Sequence, residues 1–166
     1  MKRVLFFICM LAFAVGMSAQ EEVKSNWVVG EQPSTTPGVM IQYAVCQQSS
    51  DAVIGSAGPV LVSLNIMKLG KTISYFFSVK GDEFVVDNTH SQRVLIQFDG
   101  EKASNYSLVG NNSYTCTTLK FESSYKNKFV NLLKKGKKCK ITVEFADKGT
   151  QEIEFNVDGL DPQIMQ

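Results

Sequence analysis

His90 is the only histidine in the chain, and it closes the tetrapeptide DNTH, which begins at Asp87. An aspartate close to a histidine can orient the imidazole as a general base for a serine or cysteine nucleophile. The alternative is a polar turn between two strands that carries a surface histidine. No nucleophile motif accompanies the tetrapeptide, so the sequence favours the turn, and an enzyme with an unrecognised site near His90 is the alternative.

Cysteine chemistry is the second possibility that the residue types allow. The chain has four cysteines, and Cys9 falls in an N-terminal apolar run, which leaves Cys46, Cys116 and Cys139. Cys139 shares the parity of the apolar residues around it, and we expect it to be buried as a small hydrophobic residue. Cys46 and Cys116 could face the other side of their strands, and if a disulfide forms, we expect it between these two.

Metal and cofactor chemistry find little support in the sequence. A single histidine excludes the common zinc sites that need several histidines, and the glycines lie at separate turns instead of in a phosphate-binding loop. The acidic residues show no spacing that would bring two carboxylates together for glycoside hydrolysis. We therefore expect no catalytic residue, no metal site and no cofactor.

The most charged stretch, Ser123–Lys140, holds seven lysines and no acid. Its apolar residues, Tyr125, Phe129, Leu132 and Leu133, have the spacing of one stripe on a helix. We predict a short amphipathic helix at about 123–135. A serine at 123 or 124 would cap its N-terminus, and a left-handed glycine at 136 would end it.

The lysines at 134, 135, 137 and 138 are the candidate binding residues of the chain. The interpretation that we favour is the solvated face and C-terminal end of a docked helix. A protein-docking patch and a module that binds polyanions through Lys134–Lys140 are the alternatives. In the hairpin that follows, Lys140 is expected to lie diagonal to Glu154, which would match part of the charge.

Apolar and polar residues alternate with a period of two along most of the chain after residue 38, which is typical of half-buried strands. Turn-forming residues separate these runs about every 8–12 residues. We therefore predict a mainly β protein, an antiparallel β-sandwich in which the short helix precedes a C-terminal β-hairpin. The alternation is carried by Val39–Val45, Val60–Ile66, Ile73–Val79 and Val94–Phe98.

Most aromatic side chains, Tyr43 and Phe77 among them, are predicted to point inward by this alternation. Phe76 points away from Phe77. We expect it in a second core face or in a patch beneath the helix, with a ligand-contacting aromatic as the alternative. Residues 103–110 are predicted to add an edge strand.

The N-terminus has the features of a secretory signal. Lys2 and Arg3 precede about twelve apolar residues, too few to span a bilayer, and small residues lead to a cleavage site after Ala19. A signal that ends in SAQ resembles those of exported proteins in Gram-negative anaerobes, which points to the periplasm or the outside of the cell. The predicted organisation has four parts: signal peptide 1–19, N-terminal strand or linker 20–38, one β-sandwich domain 39–160, and tail 161–166.

The C-terminal pattern, from LKFESSYKNKFVNLLKKGKKCKITVEF to QEIEFNVDGL, resembles the end of several small exported β-sandwich families. Invasion-associated locus B proteins and a type VI secretion accessory family share its order of strand, short helix, hairpin and closing Gly-Leu. The resemblance implies the fold and the export of those families. It carries no functional residue to this chain.

Cleavage of the signal would leave 15 basic and 16 acidic side chains, so the mature chain is not a general binder of polyanions. We expect a non-catalytic exported protein that binds an unknown protein or glycan of the bacterial envelope. We expect no nucleic-acid partner and no transmembrane segment after signal cleavage.

Overall fold

The computed structural model describes residues 26–55, 58–112 and 114–165 of the chain, and the predicted signal peptide lies outside them. The described residues form antiparallel strands, one α-helix, α1 (Ser123–Leu133), and a short 3-10 helix at Pro162–Met165. The strands are β1 (Trp27–Pro33), β2 (Met40–Gln47), β3 (Val53–Gly55), β4 (Gly58–Leu69), β5 (Thr72–Lys80), β6 (Phe84–Val85), β7 (Ser91–Phe98), β8 (Ser104–Gly110), β9 (Thr115–Cys116), β10 (Thr118–Phe121), β11 (Lys138–Phe145) and β12 (Gly149–Asn156).

The predicted fold class is confirmed: the protein is mainly antiparallel β, with one helix before a C-terminal hairpin, in an open sheet consistent with a β-sandwich. The main strand order is β1-β2-β4-β5-β10-β8-β7-β11, and β12 pairs with β11. β8 lies between β10 and β7. The prediction of an edge strand at residues 103–110 was therefore wrong, because alternation shows a buried face but does not order the strands.

The sheet folds over so that β12 returns to the end of β2. An isolated antiparallel bridge joins Gln48 to Phe155, and the Ser49 N–H donates to the Glu154 carbonyl at 2.7 Å. These contacts bring the two ends of the described chain together over one core. Two side chains add hydrogen bonds here, from Trp27 Nε1 to the Val157 carbonyl at 3.0 Å and from Cys46 Sγ to the Asn156 carbonyl at 3.2 Å.

An aromatic cluster fills the core beneath α1. Phe129 is the fully buried centre of the helix stripe, and its ring stacks on Phe121 with centroids 4.0 Å apart. Phe77 and Phe98 lie within 6.3 Å and 5.8 Å of the same ring. The apolar stripe therefore docks α1 on the core, and its other face is left to solvent.

Both helix ends differ from the sequence prediction. The N-cap is Glu122, without a side-chain capping bond, and the helix ends at Leu133. The Gly136 N–H donates to the Leu132 carbonyl at 2.8 Å, but Gly136 has no left-handed backbone angle. A Cβ atom at this glycine would lie 2.6 Å from Cδ1 of Phe98. Close packing against the sheet, not a left-handed cap, is what requires glycine here.

The hairpin β11–β12 turns at Gly149, whose φ of 62° is left-handed. Lys140 lies directly opposite Glu154 instead of diagonal to it. Its Nζ is 3.4 Å from the Glu154 carboxylate and 3.3 Å from that of Glu152. Both glutamates raise the pKa of Lys140, first through the hydrogen bond with Glu152. The positive charge of Lys140 is therefore paired with two carboxylates of the neighbouring strand β12.

Candidate functional site

The tetrapeptide DNTH forms a tight turn that leads into β7. The Asp87 carboxylate accepts hydrogen bonds from the Thr89 hydroxyl at 2.6 Å, the Thr89 N–H at 2.8 Å and the Ser91 N–H at 2.9 Å. The hydrogen bonds from Thr89 and Ser91 hold the pKa of Asp87 below its ordinary value, with a smaller contribution from the charge of His90. His90 itself is exposed, with a left-handed φ of 62°. Asp87 thus organises the backbone of a structural turn.

The three described cysteines are free thiols, and all three are buried. The sequence left open that Cys46 and Cys116 face the other side of their strands, but both lie on the inner face of the sheet. Cys46 donates to a carbonyl of the last strand, whereas Cys116 lies against Gly110. The suggested Cys46–Cys116 disulfide is therefore not formed in this structure.

Burial also sets the reactivity of these thiols. Desolvation raises the pKa of Cys46 to about 12 and raises the pKa of Cys139 and Cys116 as well. Since the thiolate is the nucleophile and the metal ligand, a thiol with a raised pKa is inert at neutral pH. These positions are typical of packing residues, not of a nucleophile that His90 could activate.

The four candidate lysines are all exposed, but they do not form one patch. Lys134, Lys135 and Lys137 line a cleft of about 420 Å³ between the end of α1 and the C-terminal residues. Lys138 lines a separate hollow of about 180 Å³, together with Asp99 and Glu154. The first three lysines can act on one ligand, whereas Lys138 lies in the hollow that also contains Asp99 and Glu154.

Two lysines that the sequence did not single out as binding residues, Lys71 and Lys126, lie beside α1 together with Lys134. Lys71, Lys126 and Lys134 line a cleft of about 430 Å³ in which the described lining residues include no acid. Lys126 Nζ is held in place, since it donates to the Ile73 carbonyl at 2.5 Å and lies 5.5 Å from the centroid of the Tyr75 ring. Lys71 comes from the turn between β4 and β5, and helical spacing along residues 123–140 could not have revealed it.

The apolar face of β2 is turned away from the core. Ala44 and Cys46 are the fully buried residues of this strand. Tyr43 and Val45, which have the opposite parity, lie half-buried on the outer surface. The prediction that Tyr43 points inward was therefore wrong. The inner side of β2 faces β12. The small side chains of Ala44 and Cys46 leave room there for the backbone of β12 to approach.

Tyr43 and Val45 belong to a continuous apolar surface, which we call the outer patch: Val28, Tyr43, Val45, Met67 and Phe76. Val28 is paired with Val45, and Tyr43 with Met67. Asn65 pairs with both Val45 and Phe76, so the patch crosses four neighbouring strands.

The patch contains a cleft of about 250 Å³ in which Gln32 and Asn65 supply amide groups. The Tyr43 ring covers Gly30, where a Cβ atom would lie 2.5 Å from the phenolic oxygen. Phe76 lies in this cleft on the outer surface, instead of in a second core face or beneath the helix.

The patch reaches the edge of the sheet at β1, the first strand in the strand order. Two consecutive valines of this strand are strongly exposed, Val28 at 63% and Val29 at 56%. This strand lies within the predicted N-terminal strand or linker, 20–38, and pairs with β2 along seven residues.

Within the described ranges, no three or more His, Cys, Asp and Glu side chains are placed to hold a metal ion. Over the same ranges, every helix is too short or too polar to cross a membrane. Comparison with protein-family models, with curated proteins and with solved structures found no match to the chain.

Proposed function

We propose that this chain is a non-catalytic binding protein of a Gram-negative bacterial envelope, periplasmic or secreted, which docks a partner protein through the outer patch. One observation carries the proposal: the apolar face of β2 is turned outward and continues across β1, β4 and β5. A contiguous apolar surface on a monomer is a mark of an interaction site.

The residue types of the patch favour a protein partner. Tyrosine, phenylalanine and methionine are enriched at the centre of protein interfaces, where charged side chains are depleted. The patch supplies all three in Tyr43, Phe76 and Met67, with valines beside them. Because Tyr43 lies across Gly30, its ring presents a fixed face and loses little freedom on binding.

The edge of β1 suggests how the partner is held. An extended segment can add to an exposed sheet edge through main-chain hydrogen bonds, while its alternate side chains contact the neighbouring surface. Val28 stands both on this edge and in the outer patch. We therefore expect an extended, apolar segment of the partner beside β1.

The buried thiols and the Asp87 turn support a non-catalytic role, because burial raises the pKa of each thiol and the Asp87 carboxylate is bonded within its own turn. The half-buried rings of Tyr43 and Phe76 also have the chemistry to stack on a sugar, so the test includes a glycan arm.

The test begins with a photocrosslinking amino acid at Val28 in the native cell and maps the attached peptide by mass spectrometry. The purified partner is then titrated with the wild type and with Tyr43→Ser/Phe76→Ser. We expect at least tenfold weaker binding by the variant, since buried aromatic residues dominate interface energies. Leu95→Ser/Ile54→Ser removes exposed apolar residues outside the patch and should change affinity less than twofold.

Equal affinities of the wild type and the aromatic variant would overturn the proposed interface. A glycan that binds the wild type on an array and is lost with Tyr43→Ser/Phe76→Ser would replace the protein partner with a sugar.

A further inference from the structure

Two clefts border α1, and they meet at shared residues. The cleft that contains Lys71 and Lys126, here called the helix cleft, and the cleft that contains Lys135 and Lys137, here called the tail cleft, are both lined by Lys134 and Met165. They adjoin at these two residues and are together called the groove. At about 430 and 420 Å³, each has the size of a small-molecule site.

The two parts of the groove differ in polarity. In the helix cleft three lysines meet the amides of Asn127 and Asn131. In the tail cleft three lysines are joined by residues that are mostly apolar. Of the described residues that line the groove, Asp158 is the only acid. Leu160 and Pro162 supply most of the apolar surface of the tail cleft, and the small exposed parts of Leu133, Val157 and Met165 complete it.

The charge arrangement favours an anionic group in the helix cleft. Lys126 uses one N–H on the Ile73 carbonyl and has further donors to offer. Lys71 and Lys134 are exposed and flank it from a turn and from the end of α1. Three cations around one hollow attract an anion, and the two amides can donate to its oxygens.

We propose that this groove binds a single-chain amphiphile with an anionic head, a phosphate or a carboxylate. The head lies among Lys71, Lys126 and Lys134, and the chain passes Met165 along the apolar surface of the tail cleft. Charge complementarity fixes the head, and burial of methylene groups of the chain adds to the affinity. The groove lies on α1, outside the outer patch, and its ligand is independent of the proposed protein partner.

Isothermal titration calorimetry at low ionic strength, below the micelle-forming concentration of each probe, tests this proposal. The probes are decyl phosphate, decanoate, decanol and inorganic phosphate. We expect decyl phosphate and decanoate to bind at one site, at least tenfold more tightly than decanol, which lacks the charge, and than inorganic phosphate, which lacks the chain.

Variants assign the binding to the groove. Lys71→Gln/Lys134→Gln should weaken binding of decyl phosphate at least tenfold, and Leu160→Ser should weaken it by shortening the apolar surface. Lys80→Gln/Lys102→Gln removes the same charge from exposed positions elsewhere and should leave the affinity within twofold. Near-ultraviolet circular dichroism establishes that each variant is folded.

Three results would overturn the proposal. One is the absence of saturable heat with either anionic amphiphile. Another is an affinity for decanol or inorganic phosphate equal to that for decyl phosphate, or an affinity of Lys71→Gln/Lys134→Gln for decyl phosphate equal to that of the wild type. The third is an acidic amphipathic peptide that binds this groove more tightly than decyl phosphate. Tyr43→Ser/Phe76→Ser should bind the amphiphiles as the wild type does, which keeps this result separate from the test of the outer patch.

Discussion

The cysteines show how the environment of a single residue decides its chemistry. Cys46, Cys116 and Cys139 all lie in the core, and desolvation is the leading cause of the raised pKa of each. For Cys116, hydrogen bonds from the backbone of Thr118 and Asn111 act in the opposite direction but are the weaker cause. Parity in the sequence could place Cys139 in the core. It could not place Cys46, because a strand with two apolar faces does not reveal which face is inner. It could not place Cys116, because β9 and β10 are separate strands and the alternation of Leu119 and Phe121 does not continue to it.

A raised thiol pKa makes stability depend on alkaline pH. Cys46 ionises at its ordinary value of 9.0 in the unfolded chain and at about 12 in the folded one. Its contribution to stability is complete below pH 9 and is lost as pH rises towards 12, at no more than about 1.4 kcal/mol per pH unit. Urea unfolding of the wild type should therefore show a falling midpoint above pH 9, and Cys46→Ala should show a shallower fall.

Val62→Ala is the matched control, since Val62 is equally buried and does not titrate. This substitution should lower the urea midpoint at every pH, and the midpoint should fall with pH above 9 as steeply as in the wild type. If the midpoint of Cys46→Ala falls with pH as steeply as that of the wild type, the ionisation of Cys46 does not cause the fall.

At the scale of elements, the connection between α1 and β11 determines how the helix sits on the sheet. The Lys137 and Lys138 N–H groups donate to the Asp99 carboxylate at 2.8–3.2 Å, which ties this connection to the turn after β7. Gly136 then passes so close to Phe98 that no side chain fits between them. The helix was predictable from its stripe of four apolar residues. Its ends were not, because they depend on contacts with strands far away in the sequence.

Gly136→Ala should lower the free energy of unfolding by about 1–3 kcal/mol, the usual cost of overpacking. The cause is the 2.6 Å approach of the new Cβ atom to Phe98. Chemical denaturation in the Phe98→Leu background should give a smaller cost, since the shorter side chain leaves room.

Gly149→Ala provides the contrast. Gly149 has open space around its Cα but a φ of 62°, so its cost arises from backbone strain. Phe98→Leu should not reduce that cost. Equal costs of Gly136→Ala in the two backgrounds would exclude the steric explanation.

At the scale of the whole molecule, the fold class, the helix and the C-terminal hairpin followed from periodicity and from the turn-forming residues between the periodic runs. The strand order and the groove did not, because both depend on how the sheet folds over. Sequence spacing grouped Lys138 with Lys134, whereas the structure separates them and adds Lys71 from another turn. The sequence did not reveal the outward face of β2 either. Tyr43 alternates like a core residue, and only the way the sheet folds over shows which face of the strand is inner.

The contact between the chain ends should be measurable through Trp27. Trp27→Phe keeps an aromatic ring but removes the hydrogen bond from Nε1 to the buried Val157 carbonyl. An unsatisfied buried acceptor costs about 1–3 kcal/mol, so the free energy of unfolding, followed by circular dichroism, should fall by that amount. Val28→Ala, at the exposed neighbour, should change it by less than about 0.5 kcal/mol. Equal effects of the two substitutions would show that Trp27 does not hold β1 to the end of the chain.

The return of β12 to β2 also has a consequence in time. The hydrogen bonds between the two ends join residues that are 130 and 110 positions apart. Contacts between such distant residues form slowly, because the entropy cost of closing a long loop comes before any stabilisation by the contacts. The core cannot close until β12 has emerged from the ribosome. Until then the nascent chain stays open, with its strands available to a chaperone.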